Sequence, residues 1–333
     1  MGARMSWARL VLILVVGVIG SVALVSATGA QQRVRSGPNV PPNPNWVITN
    51  WTPTPPTGMD WQSLKLLAGE TYDPNGQGSM LVLVQPPKPT DPPVWVYDLN
   101  GKLLRTWGAN LFSQPYYASV DRFGYIWITD NKDNLVGKFT EEGKLVMMLG
   151  KKGVSGDNTS HDLFNGPTDV AVAANGDFFV ADGYGNSRIV KFDKDGKFLM
   201  IIGGSNGTGV GQFNLPHHVV IDSKGELVVM DRMNKRIQFW TQDGKFIKQW
   251  DDIEFGYPSG MQLVADDTLY IGDSDGNSFK IVKDDKVLDA VGGYEGARPH
   301  QLAVDPFGAV YINDGQKKLI KKAVRKSAGL IHN

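Results

Sequence analysis

The side chains best suited to chemistry in this sequence are two histidines that each follow a proline. His217 and His300 stand directly after Pro216 and Pro299, and the chain has five histidines in all. A neutral imidazole can ligate a divalent metal ion, and it can also exchange protons near neutral pH. The other interpretation is that each Pro-His pair simply begins a strand and that its imidazole is buried and hydrogen-bonded. These residues alone leave both interpretations open.

Those prolines belong to a repeat that runs through most of the chain. Successive repeat prolines are separated by 52, 49, 42 and 41 residues, and a series of aspartates has the same spacing. The two series are Pro115, Pro167, Pro216, Pro258 and Pro299, and Asp130, Asp182, Asp231, Asp273 and Asp314. A strand-rich period of about 40–50 residues is typical of the blades of a β-propeller. We predict that each aspartate accepts backbone N–H groups at the end of the second strand of its blade.

Short strands and tight turns fill each repeat. The unit that begins at Pro167 is predicted to hold strands over 169–173, 178–181, 188–192 and 198–202. The Gly-Lys turn that joins its last two strands also occurs at Gly101, before the first repeat proline, so residues of roughly 62–108 supply one more blade. We therefore predict an all-β, six-bladed propeller over 61–325 with a tail at 326–333. An N-terminal strand should complete the last blade and close the ring.

The innermost strands of a propeller line a central channel, where loops that are distant in sequence converge. The residues that follow the repeat prolines are Tyr116, Thr168, His217, Ser259 and His300. Tyr116, His217 and His300 lie on alternate blades, so they should face one another with near three-fold geometry. This arrangement predicts a divalent-metal site with His217 and His300 as ligands and Tyr116 at the third position. His218 is predicted to face outward.

Three parts of the sequence resemble the peptidyl-α-hydroxyglycine α-amidating lyase family, whose propellers are of the NHL-repeat kind. They are 179–192 (FVADGYGNSRIVKF), 211–217 (GQFNLPH) continued by 230–238 (MDRMNKRIQ), and 298–300 (RPH) with 310–314 (VYIND). The resemblance implies a six-bladed propeller in which three histidines on alternate blades hold a catalytic zinc ion. It also implies a calcium ion deeper in the channel, and a reaction that gives a peptide amide and glyoxylate.

The resemblance also implies roles for individual residues. Tyr184 would be the general base, Arg232 would bind the substrate carboxylate, and the two histidines after repeat prolines would be metal ligands. Tyr116 stands where the family has its first histidine, and Gln301 stands where it has a calcium-binding aspartate. Two hypotheses therefore stay open. One is a lyase-like enzyme with weakly held zinc and with calcium in the channel, and the other is a non-catalytic propeller that binds a protein, peptide or glycan.

Composition and the first sixty residues bear on partners and location. The 34 basic and 34 acidic side chains balance, which argues against nucleic-acid binding, and the absence of cysteine excludes disulfides and thiol chemistry. Residues 1–30 have the pattern of a signal peptide or, alternatively, an uncleaved membrane anchor, and 31–60 form a Pro-rich linker. We expect an extracytoplasmic monomer that contacts membrane only through such an anchor and binds a small molecule or peptide in its channel.

Overall fold

The computed structural model describes residues 40–74, 78–292, 298–315 and 317–326 of the chain. Within these ranges six antiparallel sheets of four strands form the blades of a propeller, which confirms the predicted fold class. The predicted targeting segment 1–30 and most of the predicted tail lie outside the described residues. No helix in the described ranges is both long and apolar enough to cross a membrane.

Twenty-four strands and two short 3-10 helices, Trp61–Ser63 and Arg232–Asn234, account for the regular structure of the described residues. In chain order the strands are β1 (Trp46–Asn50), β2 (Leu66–Asp73), β3 (Ser79–Gln85), β4 (Val94–Tyr97), β5 (Leu103–Trp107), β6 (Pro115–Val120), β7 (Ile126–Asp130), β8 (Leu135–Phe139), β9 (Leu145–Leu149), β10 (Pro167–Val172), β11 (Phe178–Asp182), β12 (Arg188–Phe192), β13 (Phe198–Gly203), β14 (Pro216–Ile221), β15 (Leu227–Asp231), β16 (Arg236–Trp240), β17 (Phe246–Trp250), β18 (Pro258–Leu263), β19 (Leu269–Asp273), β20 (Ser278–Lys283), β21 (Lys286–Gly292), β22 (Leu302–Val304), β23 (Val310–Asp314) and β24 (Leu319–Arg325). Blades 1 to 5 are β2–β5, β6–β9, β10–β13, β14–β17 and β18–β21, and blade 6 is β22–β24 with β1.

The ring is closed by the first strand of the described chain. Strand β1 pairs antiparallel with β24, from Trp46 opposite Arg325 to Asn50 opposite Lys321, and the innermost strand β2 contacts both β6 and β22. The predicted closure by an N-terminal strand is confirmed. The predicted linker over 31–60 differs from the structure at 46–50, because the buried Trp46 ties this short segment to blade 6 despite its Pro-rich surroundings.

Apolar side chains from neighbouring blades pack together in the seams of the ring. In the seam between blades 2 and 3, Trp127 and Val136 pack with Phe178, Val180 and Phe192, and all five are at most 1% exposed. Burying a side chain of this size stabilises the fold by about 1.5–3 kcal/mol. Because every seam is shared by two blades, the position of each innermost strand depends on both neighbours.

The repeat aspartates fasten the loops that lead into the innermost strands. Asp130 Oδ2 accepts the backbone N–H groups of Ser113 and Gln114 at 2.7 and 2.8 Å. In the next blade Asp182 Oδ1 accepts the N–H of Asn165 at 2.8 Å. The predicted turn-capping role of this series is confirmed. The residues after the repeat prolines are thereby held at a fixed place at the mouth of the channel.

Asp182 is also one half of a buried ion pair with Arg188. The guanidinium Nε lies 2.9 Å from Asp182 Oδ2, and both side chains are fully buried. Arg188 also donates to the main-chain oxygens of Ser160 and Leu163, which lie in the loop before blade 3. This arginine therefore has a structural task, away from the site described below.

Replacing Arg188 by leucine should destabilise the protein by about 3–5 kcal/mol, because it leaves the Asp182 carboxylate buried without a counter-ion. Equilibrium unfolding in urea, followed by circular dichroism, measures this loss as a lower midpoint. Lys194→Ala is the control, since Lys194 forms a fully exposed pair with Asp195 and its removal should not move the midpoint measurably. Equal midpoints for Arg188→Leu and the wild type would contradict the assignment.

Candidate functional site

In two of the blades a β-bulge turns one residue of the innermost strand out of the strand pairing. In blade 2 the register shifts between Pro115 and Tyr117, and in blade 4 it shifts between Pro216 and His218. The skipped residues are Tyr116 and His217. A bulge leaves its extra residue without a partner in the ladder and re-aims its side chain, which is why bulges recur beside active sites.

The three side chains from alternate blades meet in the channel, as the spacing predicts. The ring centroids of Tyr116 and His217 are 5.7 Å apart, those of Tyr116 and His300 are 5.8 Å apart, and those of the two imidazoles are 5.9 Å apart. The three rings therefore form a nearly equilateral triangle. Tyr116 Oη lies 2.5 Å from His217 Nε2 and 3.2 Å from His300 Nε2.

Tyr184 and Arg232 join this triangle from loops at the same mouth. Tyr184 follows β11, is 44% exposed, and places its Oη 2.9 Å from Tyr116 Oη. Arg232 begins the short helix after β15, and its Nη1 lies 2.7 Å from His217 Nε2 and 3.4 Å from Tyr184 Oη. Its Nη2 donates to Ser259 Oγ at 2.9 Å. The structure thus brings together the five side chains that the sequence singles out.

Arg232 is a buried cation that forms no ion pair with a carboxylate of the described residues. Its side chain is 3% exposed, and none of the ion pairs among the described residues includes it. By contrast, Arg188 and Arg236 are buried against Asp182 and Asp231. A buried charge without an opposite charge costs several kcal/mol. The described residues at the mouth of the channel therefore present an unpaired positive charge that suits an anionic ligand.

Burial keeps both imidazoles of the triangle neutral. It lowers the pKa of His217 well below its usual value, and the nearby Arg232 guanidinium lowers it further. The same two causes, in the same order, bring the pKa of His300 to about 3. Burial also raises the pKa of Tyr116 well above its usual value, so its hydroxyl stays protonated. Because a guanidinium can only donate, His217 Nε2 must carry its lone pair toward Arg232.

These residues, as arranged, do not fit a divalent metal ion. Two ligands of one tetrahedral zinc ion lie about 3.3 Å apart when each bond is about 2.0–2.1 Å, yet Tyr116 Oη and His217 Nε2 are separated by only 2.5 Å. The Nε2 lone pair already receives the Arg232 N–H. Within the described part of the chain, no three His, Cys, Asp or Glu side chains are grouped so that they could hold a metal ion.

Gln301 stands deeper in the channel, where the resemblance implies an aspartate beside calcium. Its side chain is fully buried, and its Nε2 lies 3.4 Å from the main-chain oxygen of Tyr116. The amide is uncharged, and its Oε1 is buried without a hydrogen-bond partner among the described residues. The residue therefore fills the position without supplying the anionic oxygen that calcium prefers.

The prediction that His218 faces outward is wrong. Its side chain is fully buried, its Nδ1 lies 3.1 Å from Asp169 Oδ2, and its ring centroid is 4.7 Å from that of Tyr117. The alternation rule fails because the innermost strands of a propeller are covered on both faces. The pairing of Asp169 with His218 could have been found from the repeat, since each residue stands two positions after a repeat proline.

Sequence reasoning also missed Tyr257. The guanidinium carbon of Arg232 lies 4.0 Å from the centroid of this ring. A cation over an aromatic face is stabilised by the ring quadrupole, more so when water is excluded. Tyr257 therefore helps to hold Arg232 in place, together with Ser259, and no local sequence pattern marks it.

Comparison with known proteins places this architecture in a family. A family model described as NHL repeat matches residues 164–192. The chain is 31% identical over 254 residues to human NHL repeat-containing protein 3. This match covers 70% of this chain and 73% of that protein. Fold and site define a six-bladed propeller with a polar cluster in its channel. The chain belongs to the NHL-repeat family within that class.

Amidating enzymes are also among the relatives. The chain is 36% identical over 252 residues to peptidyl-glycine alpha-amidating monooxygenase B of Xenopus laevis, a match to 69% of this chain and 28% of that protein. It is 41% identical over 140 residues to a probable peptidyl-alpha-hydroxyglycine alpha-amidating lyase of Caenorhabditis elegans, a match to 41% of this chain and 39% of that protein. The chain spans about a quarter of the length of the amidating monooxygenases that it matches.

Solved structures share the fold at low identity. A streptogramin B lyase structure superposes with a TM-score of 0.57 at 16% identity, covering 84% of this chain and 98% of that one. A gluconolactonase from Xanthomonas campestris superposes with a TM-score of 0.59 at 12% identity, covering 79% and 87%. At these identities the likeness shows the propeller fold alone.

Proposed function

We propose that this protein is an exported lyase that cleaves the C–N bond of a peptidyl α-hydroxyglycine at the mouth of its channel. The products would be a peptide amide and glyoxylate. The observation that carries the proposal is Arg232, which lies beside the exposed Tyr184 and is buried without a carboxylate partner among the described residues. The relatives named as amidating lyases support the substrate class, and the pattern of residues 1–30 supports export.

Arg232 is suited to the substrate carboxylate. A guanidinium offers five N–H donors in a fixed fork that matches a carboxylate. In this structure Nη1 and Nη2 have partners, whereas the buried Nε of Arg232 has none among the described residues. A bound carboxylate would both satisfy a donor and neutralise the buried charge.

Tyr184 is suited to the proton transfer that starts the cleavage. As a base it would remove the proton of the substrate hydroxyl, after which the C–O double bond forms as the C–N bond breaks. The amide nitrogen takes up a proton as it leaves, so the net change moves one proton from oxygen to nitrogen and involves no oxidation. Arg232 Nη1, at 3.4 Å, can donate to the phenolate of Tyr184, and its positive charge stabilises that anion.

The direct test is turnover by the purified full-length protein. A short peptide that ends in α-hydroxyglycine is incubated with and without the protein, and glyoxylate and peptide amide are both quantified. The proposal expects equal amounts of the two products, formed faster than in the protein-free control. Absence of turnover above that control would leave a binding propeller, and the same peptide tested by calorimetry would then report binding alone.

Arg232→Gln should lower kcat/KM by roughly 10- to 150-fold, the value of a hydrogen bond to a charged group. The wild type should discriminate by a similar factor against a substrate whose carboxylate is a neutral amide, and the variant should not. Because the removed charge is buried and unpaired, the thermal midpoint without ligand should stay the same or rise. Arg122→Gln, an exposed arginine in the turn between β6 and β7, is the control for activity. A fall in midpoint with unchanged discrimination would assign Arg232 a purely structural role.

A further inference from the structure

We propose that Tyr116 makes this site independent of a metal ion, because its hydroxyl takes the place where an ion shared by His217 and His300 would have to lie. The inference deepens the proposed lyase function and rests on it for the catalytic consequence. Its structural part, the exclusion of the ion, can be tested without turnover. Tyr116 is then a positioning residue that acts on the reaction through Tyr184.

The first support is the geometry around the phenol oxygen. The imidazoles of His217 and His300 approach it from the two alternate blades. Their Nε2 atoms are both within hydrogen-bond distance of it, at 2.5 and 3.2 Å. A contact of 2.5 Å between an oxygen and a ring nitrogen needs a proton between them. The lone pair of His217 that a metal ion would use is therefore engaged by a hydrogen.

The second support is the guanidinium of Arg232. It lies 2.7 Å from the same Nε2 of His217, and Ser259 and the ring of Tyr257 hold it there. A divalent cation at the centre of the triangle would stand directly beside this charge in a buried place. Repulsion between the two cations adds to the loss of the hydrogen bonds.

The third support is what Tyr116 does for its neighbour. Its hydroxyl is 2.9 Å from Tyr184 Oη, and the two rings meet edge to face at a centroid distance of 5.3 Å. Tyr184 is otherwise exposed at the mouth. Tyr116 therefore fixes the hydroxyl that the proposed function uses as a base, a task that needs a phenol and no ion.

The test compares metal binding by the wild type, Tyr116→His and Tyr116→Phe. Each full-length protein is purified without chelators, its zinc content is measured by mass spectrometry, and Co²⁺ is titrated while the visible absorption is recorded. The wild type and Tyr116→Phe should hold no stoichiometric zinc. Tyr116→His should bind about one equivalent, at least roughly 100-fold more tightly than wild type, because a third imidazole completes the set.

Two results would overturn the inference. One is a stoichiometric zinc ion in the wild type that is lost in His217→Ala. This measurement tests the inference even if Tyr116→His does not fold. The other is a folded Tyr116→His protein that binds Co²⁺ no better than Tyr116→Phe.

Activity separates this inference from the proposed function. Turnover by the wild type that survives dialysis against EDTA supports both. Turnover lost to EDTA and restored by zinc would overturn the metal-independent site and leave the lyase function standing. Absence of turnover in a metal-free wild type would overturn the lyase function, while the metal measurements on the variants still decide the role of Tyr116.

Discussion

Tyr184→Phe is expected to lower kcat for peptidyl α-hydroxyglycine cleavage by about 10²- to 10⁴-fold, the contribution of a positioned general base. The variant loses only the hydroxyl that lies 2.9 Å from Tyr116 and 3.4 Å from Arg232. KM should change little, because the proposed function assigns the substrate carboxylate to Arg232. The measurement is steady-state release of glyoxylate over a range of peptide concentrations.

The stability of the same variant distinguishes a chemical from a structural role. Tyr184 is 44% exposed, so removing its hydroxyl should change the free energy of unfolding by no more than about 0.5 kcal/mol. Tyr125→Phe is the control, because Tyr125 is a partly buried tyrosine in the turn between β6 and β7, outside the cluster of five side chains. If Tyr184→Phe keeps wild-type kcat, another group is the base.

Deleting the chain through Asn50 is expected to remove most of the stability of the propeller. The deletion takes away β1, whose Trp46 packs edge to face on Phe279 at 5.4 Å and donates to Asp289. Burial of Trp46 is worth about 1.5–3 kcal/mol and that of the partly buried Ile48 less, and the strand also pairs along its whole length with β24. A domain is stable by only about 5–15 kcal/mol in total.

Urea unfolding of the truncated and full-length proteins measures this loss. We expect a much lower midpoint and a tendency to aggregate, because β24 becomes an exposed sheet edge. A protein that begins at Val40 is the control, and it should unfold at the same urea concentration as the full chain. A shared midpoint for all three proteins would show that β1 does not contribute to closing the ring.

The sequence predicts the blade count because the markers of the repeat are local. A proline that starts a strand and an aspartate that caps the next turn act within their own blade. Their spacing therefore does not depend on the sequences of the other blades. The convergence of Tyr116, His217 and His300 is predictable for the same reason, since equivalent positions in a ring face its axis. The Pro-rich composition of this part of the chain does not predict strand β1, because only one side chain in the strand, Trp46, is buried.

The details of the site could not be predicted because they depend on contacts between distant residues. Whether Arg232 has a counter-ion depends on all the residues that the fold brings near it. The contact of Tyr116 Oη with His217 Nε2 depends on side-chain directions to within a fraction of an ångström. His218 shows the limit of the rule that side chains along a strand alternate between buried and exposed, because this rule assumes that one face of the strand is in solvent.

The closing of the ring by β1 has a consequence for when the site comes into being. His300 belongs to the blade that pairs the first described strand with the last. The other four side chains come from earlier blades: Tyr116, Tyr184, His217 and Arg232. A chain still emerging from the ribosome therefore carries four of the five side chains and cannot bring the fifth to them. The cluster therefore needs the last blade, so an incomplete chain cannot assemble it.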